Sequence, residues 1–283
     1  MHLLGGEVKS PSELSAMRDE LEGLYLLYNS PSLIHPDPLE FLGNYKDTKD
    51  REIAGIIASS LAYGRVAKIL ESVGSILSAL GPSPYEFLMA SSPEHINGLF
   101  RGFKHRFTTA EDMACLCAGM KRVIERFGSL EACFCEAISD RDEDVLPGMS
   151  FLAERLSCEF EGGCNSLIPA PARGSACKRL NLFLRWMVRR DAVDPGGWNS
   201  IAPSKLLVPL DTHMHRICRR IGLTDRNDAS LATAREITRS FRQIAPDDPV
   251  RYDFSLTRLG IRRDSDPESF FLRLERKGKK EKR

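Results

Sequence analysis

No stretch of about 18 uninterrupted apolar residues occurs in this 283-residue sequence, and it does not open on a charged-then-apolar segment. A membrane-spanning helix and a secretory leader are therefore not expected, and the expected location is the cytoplasm. A dominant charge is also lacking: 40 Lys and Arg against 39 Asp and Glu leave +1, so a globally basic nucleic-acid coat is excluded by the total. Cysteine numbers eight, but none lies beyond Cys218. The close pairs Cys115-Leu-Cys117 and Cys133-Phe-Cys135 have neither Cys-x-x-Cys spacing nor a His-x-x-x-His partner, so no metal or other cofactor is expected. A chain this long does not need disulfide staples, and reduced thiols in apolar contexts are the expectation. Alternating strand patterns are scarce, and no internal repeat is visible.

What remains is helical periodicity on an ordinary composition, 42% hydrophobic and 28% charged. Helices are expected at Ser12–Tyr28, Arg51–Ala62, Val66–Leu80, Pro84–Ala90, Ala110–Phe127 and Leu130–Ala137. Others follow at Met149–Cys158, Lys178–Arg190, Thr212–Gly222, Ser230–Ala245 and Pro249–Leu259. The expected fold class is all-α. Residues 1–265 read as one domain with two helical lobes, a middle lobe at about 50–165 and another built from the N-terminal and later helices. Residues 266–283 read as a basic, disordered tail, because 273–283 hold seven basic and two acidic side chains.

Charge is unevenly spread. Residues 171–222 carry a surplus of seven positive charges, whereas 1–170 carry ten excess negative ones. A local basic surface is what backbone phosphate binding requires. Within that segment, Met214, Ile217, Cys218 and Ile221 recur at helical spacing, and Gly222 stands at the expected C-terminal stop. Asp211 precedes this helix as an N-cap candidate, held ionised by backbone N–H groups. Capping alone would account for it. Upstream, a Pro/Ala/Gly loop opens a second helix with Ser175 as N-cap and Lys178 in its first turn. The positive end of the helix dipole disfavours a cation there, which with partial burial points toward a neutral, nucleophilic amine. A solvated charge is the plain alternative.

Two motifs, Lys178-Arg-Leu-Asn181 and Pro209-Leu-Asp-Thr-His213, together resemble the helix-hairpin-helix DNA glycosylase superfamily. The resemblance matches Lys178 to the Schiff-base lysine and Asp211 to the catalytic aspartate, with a spacing similar to archaeal 8-oxoguanine glycosylases of the AGOG type. Across residues 20–265 the sequence is further identified as a member of the domain of unknown function (DUF) 2400 family. That rests on Asp50-Arg-Glu-Ile-Ala, Ala62-Tyr-Gly-Arg65, the Gly174–Arg189 segment and Tyr252-Asp-Phe. The implied fold is a two-lobed helical glycosylase-like one, with the cleft between the lobes. The usual Gly-rich hairpin is here Ile168-Pro-Ala-Pro-Ala-Arg-Gly174, with a single glycine, and the four cysteines that bind an iron–sulfur cluster in many relatives are missing.

The implied activity is a DNA repair glycosylase with AP lyase chemistry on a damaged base, oxidised guanine first. Lys178 is the nucleophile and Asp211 stabilises the cationic sugar. DNA, duplex or single-stranded, is the expected partner, implying association with the nucleoid. Its expected contacts are Arg173, Gly174, Ser175, Arg179, His213, His215, Arg216 and Arg219. Leu61 and Tyr63 are candidates to fill the gap left by an extruded base, and Trp198 or Trp186 to stack on it. Core packing is the alternative for each. A noncatalytic nucleic-acid-binding or scaffold protein is the rival function.

Overall fold

The computed structural model describes residues 11–160, 165, 167–261 and 266–280. The chain is mostly helical: α1 (Pro11–Tyr28), α2 (Thr48–Ser60), α3 (Val66–Leu80), α4 (Pro84–Ala90) and α5 (Pro93–Leu99) come first. A hairpin of β1 (Lys104–His105) and β2 (Thr108–Thr109) follows, then α6 (Ala110–Phe127), α7 (Leu130–Cys135) and α8 (Leu146–Leu156). The series closes with α9 (Lys178–Val188), α10 (Thr212–Arg220), α11 (Leu231–Ile244), α12 (Asp253–Ile261) and α13 (Pro267–Lys280). No helix among the described residues is long and apolar enough to cross a membrane.

Local chemistry sets the boundaries. Thr109 and Asp112 form a reciprocal capping box at the start of α6, and Gly128, at φ 90°, stops it. Ser83 and Ser92 cap α4 and α5, each followed by proline at the first helical position. One continuous core runs from Met17 to Phe271. At its centre is α2, whose Ile53, Ala54, Ile56, Ile57 and Ala58 are fully buried and which packs on α3, α4 and α9. The helices α6, α7 and α8 pack on one another, whereas α1 packs on α11, α12 and α13.

Three elements depart from the sequence expectation. The short α5 and the hairpin were not foreseen, since α5 turns only Ile96 fully inward. Of the region expected to be a disordered tail, Pro267–Lys280 instead forms α13, because Phe270 and Phe271 precede the basic run and bury themselves in the core, and 281–283 lie outside the described residues.

Between α9 and α10 the chain makes an excursion that folds back onto α9: Gly196 N–H donates to the Trp186 carbonyl (3.0 Å) and Trp198 N–H to that of Met187 (2.8 Å). A buried charge network fixes the near side of this loop. Arg185 pairs with Asp194 (3.1 Å) and Asp253, and Arg189 pairs with Asp194, Asp191 (2.8 Å) and Asp248 (2.9 Å). On the far side, the Trp198 indole donates to buried Glu52 (3.1 Å), which also accepts from Leu130 N–H at the start of α7 (2.9 Å).

Candidate functional site

The first turns of α9 and α10 meet. Lys178 Nζ lies 2.9 Å from Asp211 Oδ2, although 33 positions separate the residues in sequence. The other carboxylate oxygen, Oδ1, accepts from the backbone N–H groups of His213 (2.9 Å) and Met214 (2.8 Å), so Asp211 is the N-cap of α10. The far end of α10 is a Schellman closure: Gly222, at φ 71°, donates to Arg219 O (3.1 Å) and Leu223 to Cys218 O (2.9 Å). Burial works to raise the Asp211 carboxyl. The charge of Lys178 and the hydrogen bonds from Met214, Lys178 and His213 outweigh it and hold Asp211 below its ordinary 3.8.

Lys178 is placed by a strained entry. Cys177 stands at φ 46°, ψ 40°, a left-handed conformation uncommon for a residue with a Cβ. The Asn181 side chain reaches back to the Ala176 carbonyl (2.9 Å) and secures this turn. Ser175 therefore does not cap α9: Cys177 occupies that position without a side-chain capping bond, and Ser175 Oγ accepts from Cys177 N–H (3.2 Å). Lys178, expected as a nucleophilic amine, stands in direct contact with the Asp211 carboxylate.

The pair opens onto a cavity of about 120 Å³, lined also by Ala62, Ile69, Arg185 and Asp253. Asp253 was not foreseen as a site residue. It is nearly buried on α12 and pairs with Arg185; burial, opposed by Arg185 and reinforced by the charge of Asp211, pushes its carboxyl up from the ordinary 3.8. Only tertiary structure brings it here. Asp37 joins the lining from the N-terminal side, held by Arg258 at 2.6 Å.

The remaining sequence-derived candidates divide. Arg173, Gly174, Ser175, Arg216 and Arg219 are exposed. Gly174 is at φ 77°, but its N–H already donates to Pro171 O (3.0 Å) and its carbonyl accepts from Leu231 (3.1 Å), so it offers no free amide to an anion. Arg179 is half-buried, donating to Ser60 O (2.9 Å) and covering the Tyr63 ring, which makes it a strut between α9 and α2 rather than a phosphate contact. His215 is buried against the Arg226 carbonyl (2.9 Å) and faces inward. The His213 ring packs on α12, where a Cβ at Gly260 would fall 1.9 Å from its Nε2. Leu61 is fully buried and cannot fill a gap in a duplex. Trp198 is likewise core, edge-on to Phe183 (5.1 Å) and tilted against Phe134 (5.6 Å), and Trp186 is buried too. Tyr63 remains partly exposed, its hydroxyl donating to His105 O (2.8 Å).

A family model described as Protein of unknown function (DUF2400) matches residues 37–262. The chain belongs to the DUF2400 family. The matched span takes in every residue that lines the cavity of this DUF2400 protein, from Asp37 to Thr257. No curated protein and no solved structure matches the chain.

Proposed function

We propose that this DUF2400 protein is a DNA glycosylase with AP lyase activity, built on a two-lobed helix-hairpin-helix plan with its cleft at the Lys178–Asp211 cavity. The observation that carries this reading is the contact of an amine and a carboxylate, 2.9 Å apart, on two helix N-termini that share one cavity. An ionised acid fixed by two backbone amides is suited to stabilising positive charge on a sugar as its bond to the base breaks. In the proposed reaction the ammonium proton passes, by way of Asp211, to the leaving base, which departs with the electron pair of the glycosidic bond. The freed amine of Lys178 bonds to C1′. Loss of a second nitrogen proton and protonation of the ring oxygen then open the sugar to a protonated imine; loss of a C2′ proton to water expels the 3′ phosphate, which leaves with the electron pair of the C3′–O bond. Oxidised guanine is the first substrate to examine.

A lesion panel of duplex and single-stranded oligonucleotides tests the proposal. Base release with borohydride trapping of the parent, and loss of trapping in Lys178→Gln, is the expected result; trapping that persists in Lys178→Gln rejects the assignment. One observation favours a noncatalytic nucleic-acid-binding role instead: the cavity of about 120 Å³ is below the roughly 300–1,000 Å³ of typical small-molecule sites. That reading predicts oligonucleotide binding with no base release from any lesion.

A further inference from the structure

The β1–β2 hairpin turns through Arg106 and Phe107, and this connection leaves Phe107 75% exposed. Fold stability explains neither residue. Arg106 stands at φ 55°, a left-handed conformation that L side chains disfavour, and an exposed phenyl ring forgoes the gain of burial. The Arg106 guanidinium lies 5.6 Å from the Phe107 ring centre and 5.9 Å from that of Tyr63. Arg179 approaches Tyr63 in turn at 5.1 Å. Phe107, Arg106, Tyr63 and Arg179 thus form a ladder of alternating rings and guanidinium groups. It leads from solvent to α9, one residue from Lys178.

The ladder is firmly mounted. Buried His105 shares Nδ1 with Ser72 Oγ (2.9 Å) and Nε2 with the Tyr63 carbonyl (3.0 Å), while the Tyr63 hydroxyl donates back to His105 O (2.8 Å). Arg65, Arg101 and Lys104 lie close to it in sequence, and they and Arg106 are all exposed, none paired with a carboxylate among the described residues.

We propose that Phe107 is a stacking platform for an unpaired base of a nucleic-acid strand, with Arg65, Lys104 and Arg106 receiving the adjoining phosphates. An aromatic face accepts any base, and cations beside it supply the electrostatic share of binding. An apolar protein partner would find only an isolated ring among charges, and an acidic peptide would have no use for the ring. The surface requires no chemistry at Lys178, so it stands or fails separately from the proposed reaction.

The test is fluorescence anisotropy of the full chain with a labelled single-stranded oligothymidylate of about 12 nucleotides. Phe107→Ala is expected to weaken binding about fivefold to about a hundredfold, from the usual contribution of one stacked base. Phe107→Trp retains affinity. Phe107→Leu, apolar but without an aromatic face, loses it as the alanine variant does. Lys104→Ala lowers the slope of log affinity against log salt by about 0.7. Circular dichroism and thermal unfolding stay at parental values in all four, since the altered side chains are in solvent. The proposal is overturned by a parent chain that does not bind, by parental affinity in Phe107→Ala, or by leucine serving as well as tryptophan, which would mark an apolar protein-docking site.

Discussion

Replacing Glu52 with Gln should remove a large pH dependence from the stability of the chain. Glu52 is 1% exposed and accepts hydrogen bonds from Leu130 N–H (2.9 Å), Glu131 N–H (3.4 Å) and the Trp198 indole (3.1 Å). Burial nevertheless dominates those donors and pushes its carboxyl from the ordinary 4.5 to about 7. A carboxyl raised on folding binds its proton more tightly in the native state, so its contribution is full below the unfolded value and is lost as pH rises through the folded one. The window therefore runs from about 4.5 to about 7. Between pH 5 and pH 8 the linkage relation gives about 2–3 kcal/mol, with the lower pH favoured. Urea unfolding of the parent and of Glu52→Gln at both values isolates this amount. Any constant cost of turning an amide toward three N–H donors cancels when each protein is compared with itself. The parent should lose about 2–3 kcal/mol more than the variant on going to pH 8. A double difference under about 0.5 kcal/mol, within ordinary additivity error, or one of opposite sign, refutes the argument.

Three further outcomes follow from particular contacts. Asp211→Ala should lower stability by about 1 kcal/mol through loss of the α10 cap, whereas Asp211→Asn, which still caps, should hold parental stability more closely. Both should abolish base release, so thermal unfolding and the glycosylase assay separate the two roles; equal destabilisation by Asn and Ala would count against the cap. Because folding depresses the Asp211 carboxyl, its stabilisation is present above 3.8 and is lost as pH falls through the lower folded value, so the acid limb of the parent should be steeper than that of Asp211→Asn. Gly119→Ala should cost about 1–3 kcal/mol or more by calorimetry, since a Cβ there would sit 2.3 Å from the Leu156 carbonyl and force α6 and α8 apart.

Local signals were the legible ones. Val66–Leu80 and Ala110–Phe127 coincide with α3 and α6, because each carries a strong apolar stripe ended by glycine. Asp211 was readable as a cap, since capping is settled within three residues. Its meeting with Lys178 came from resemblance, and periodicity alone gave no sign of it. Asp253 and Glu52 escaped notice because a carboxylate inside a helix looks solvated until packing buries it. Trp198, Arg179 and His215 misled for the reverse reason: aromatic and basic side chains suit a nucleic-acid surface, yet each satisfies its polar atoms indoors. Phe107 was overlooked because a hairpin of two-residue strands has too little alternation to register as a pattern.

The rivets around the chamber are unequally distributed, and this constrains how it can dilate. Arg185 fastens α9 to Asp253 of α12, Lys178 fastens α9 to Asp211 of α10, and Arg258 fastens α12 to Asp37, so three sides are cross-braced by ionic contacts. Prying the buried Arg185–Asp253 brace apart would strand charges away from water. Ala62 and Ile69 contribute only hydrocarbon side chains to the remaining side, the one that bears the bend between α2 and α3. Swelling on that side would strain the Arg179 strut to Ser60 O and drag Tyr63, with the hairpin clamped to it, along the same path. A strand held at the tip in the proposed way would thus be tied, through Arg106, Tyr63 and Arg179, to the helix that carries Lys178.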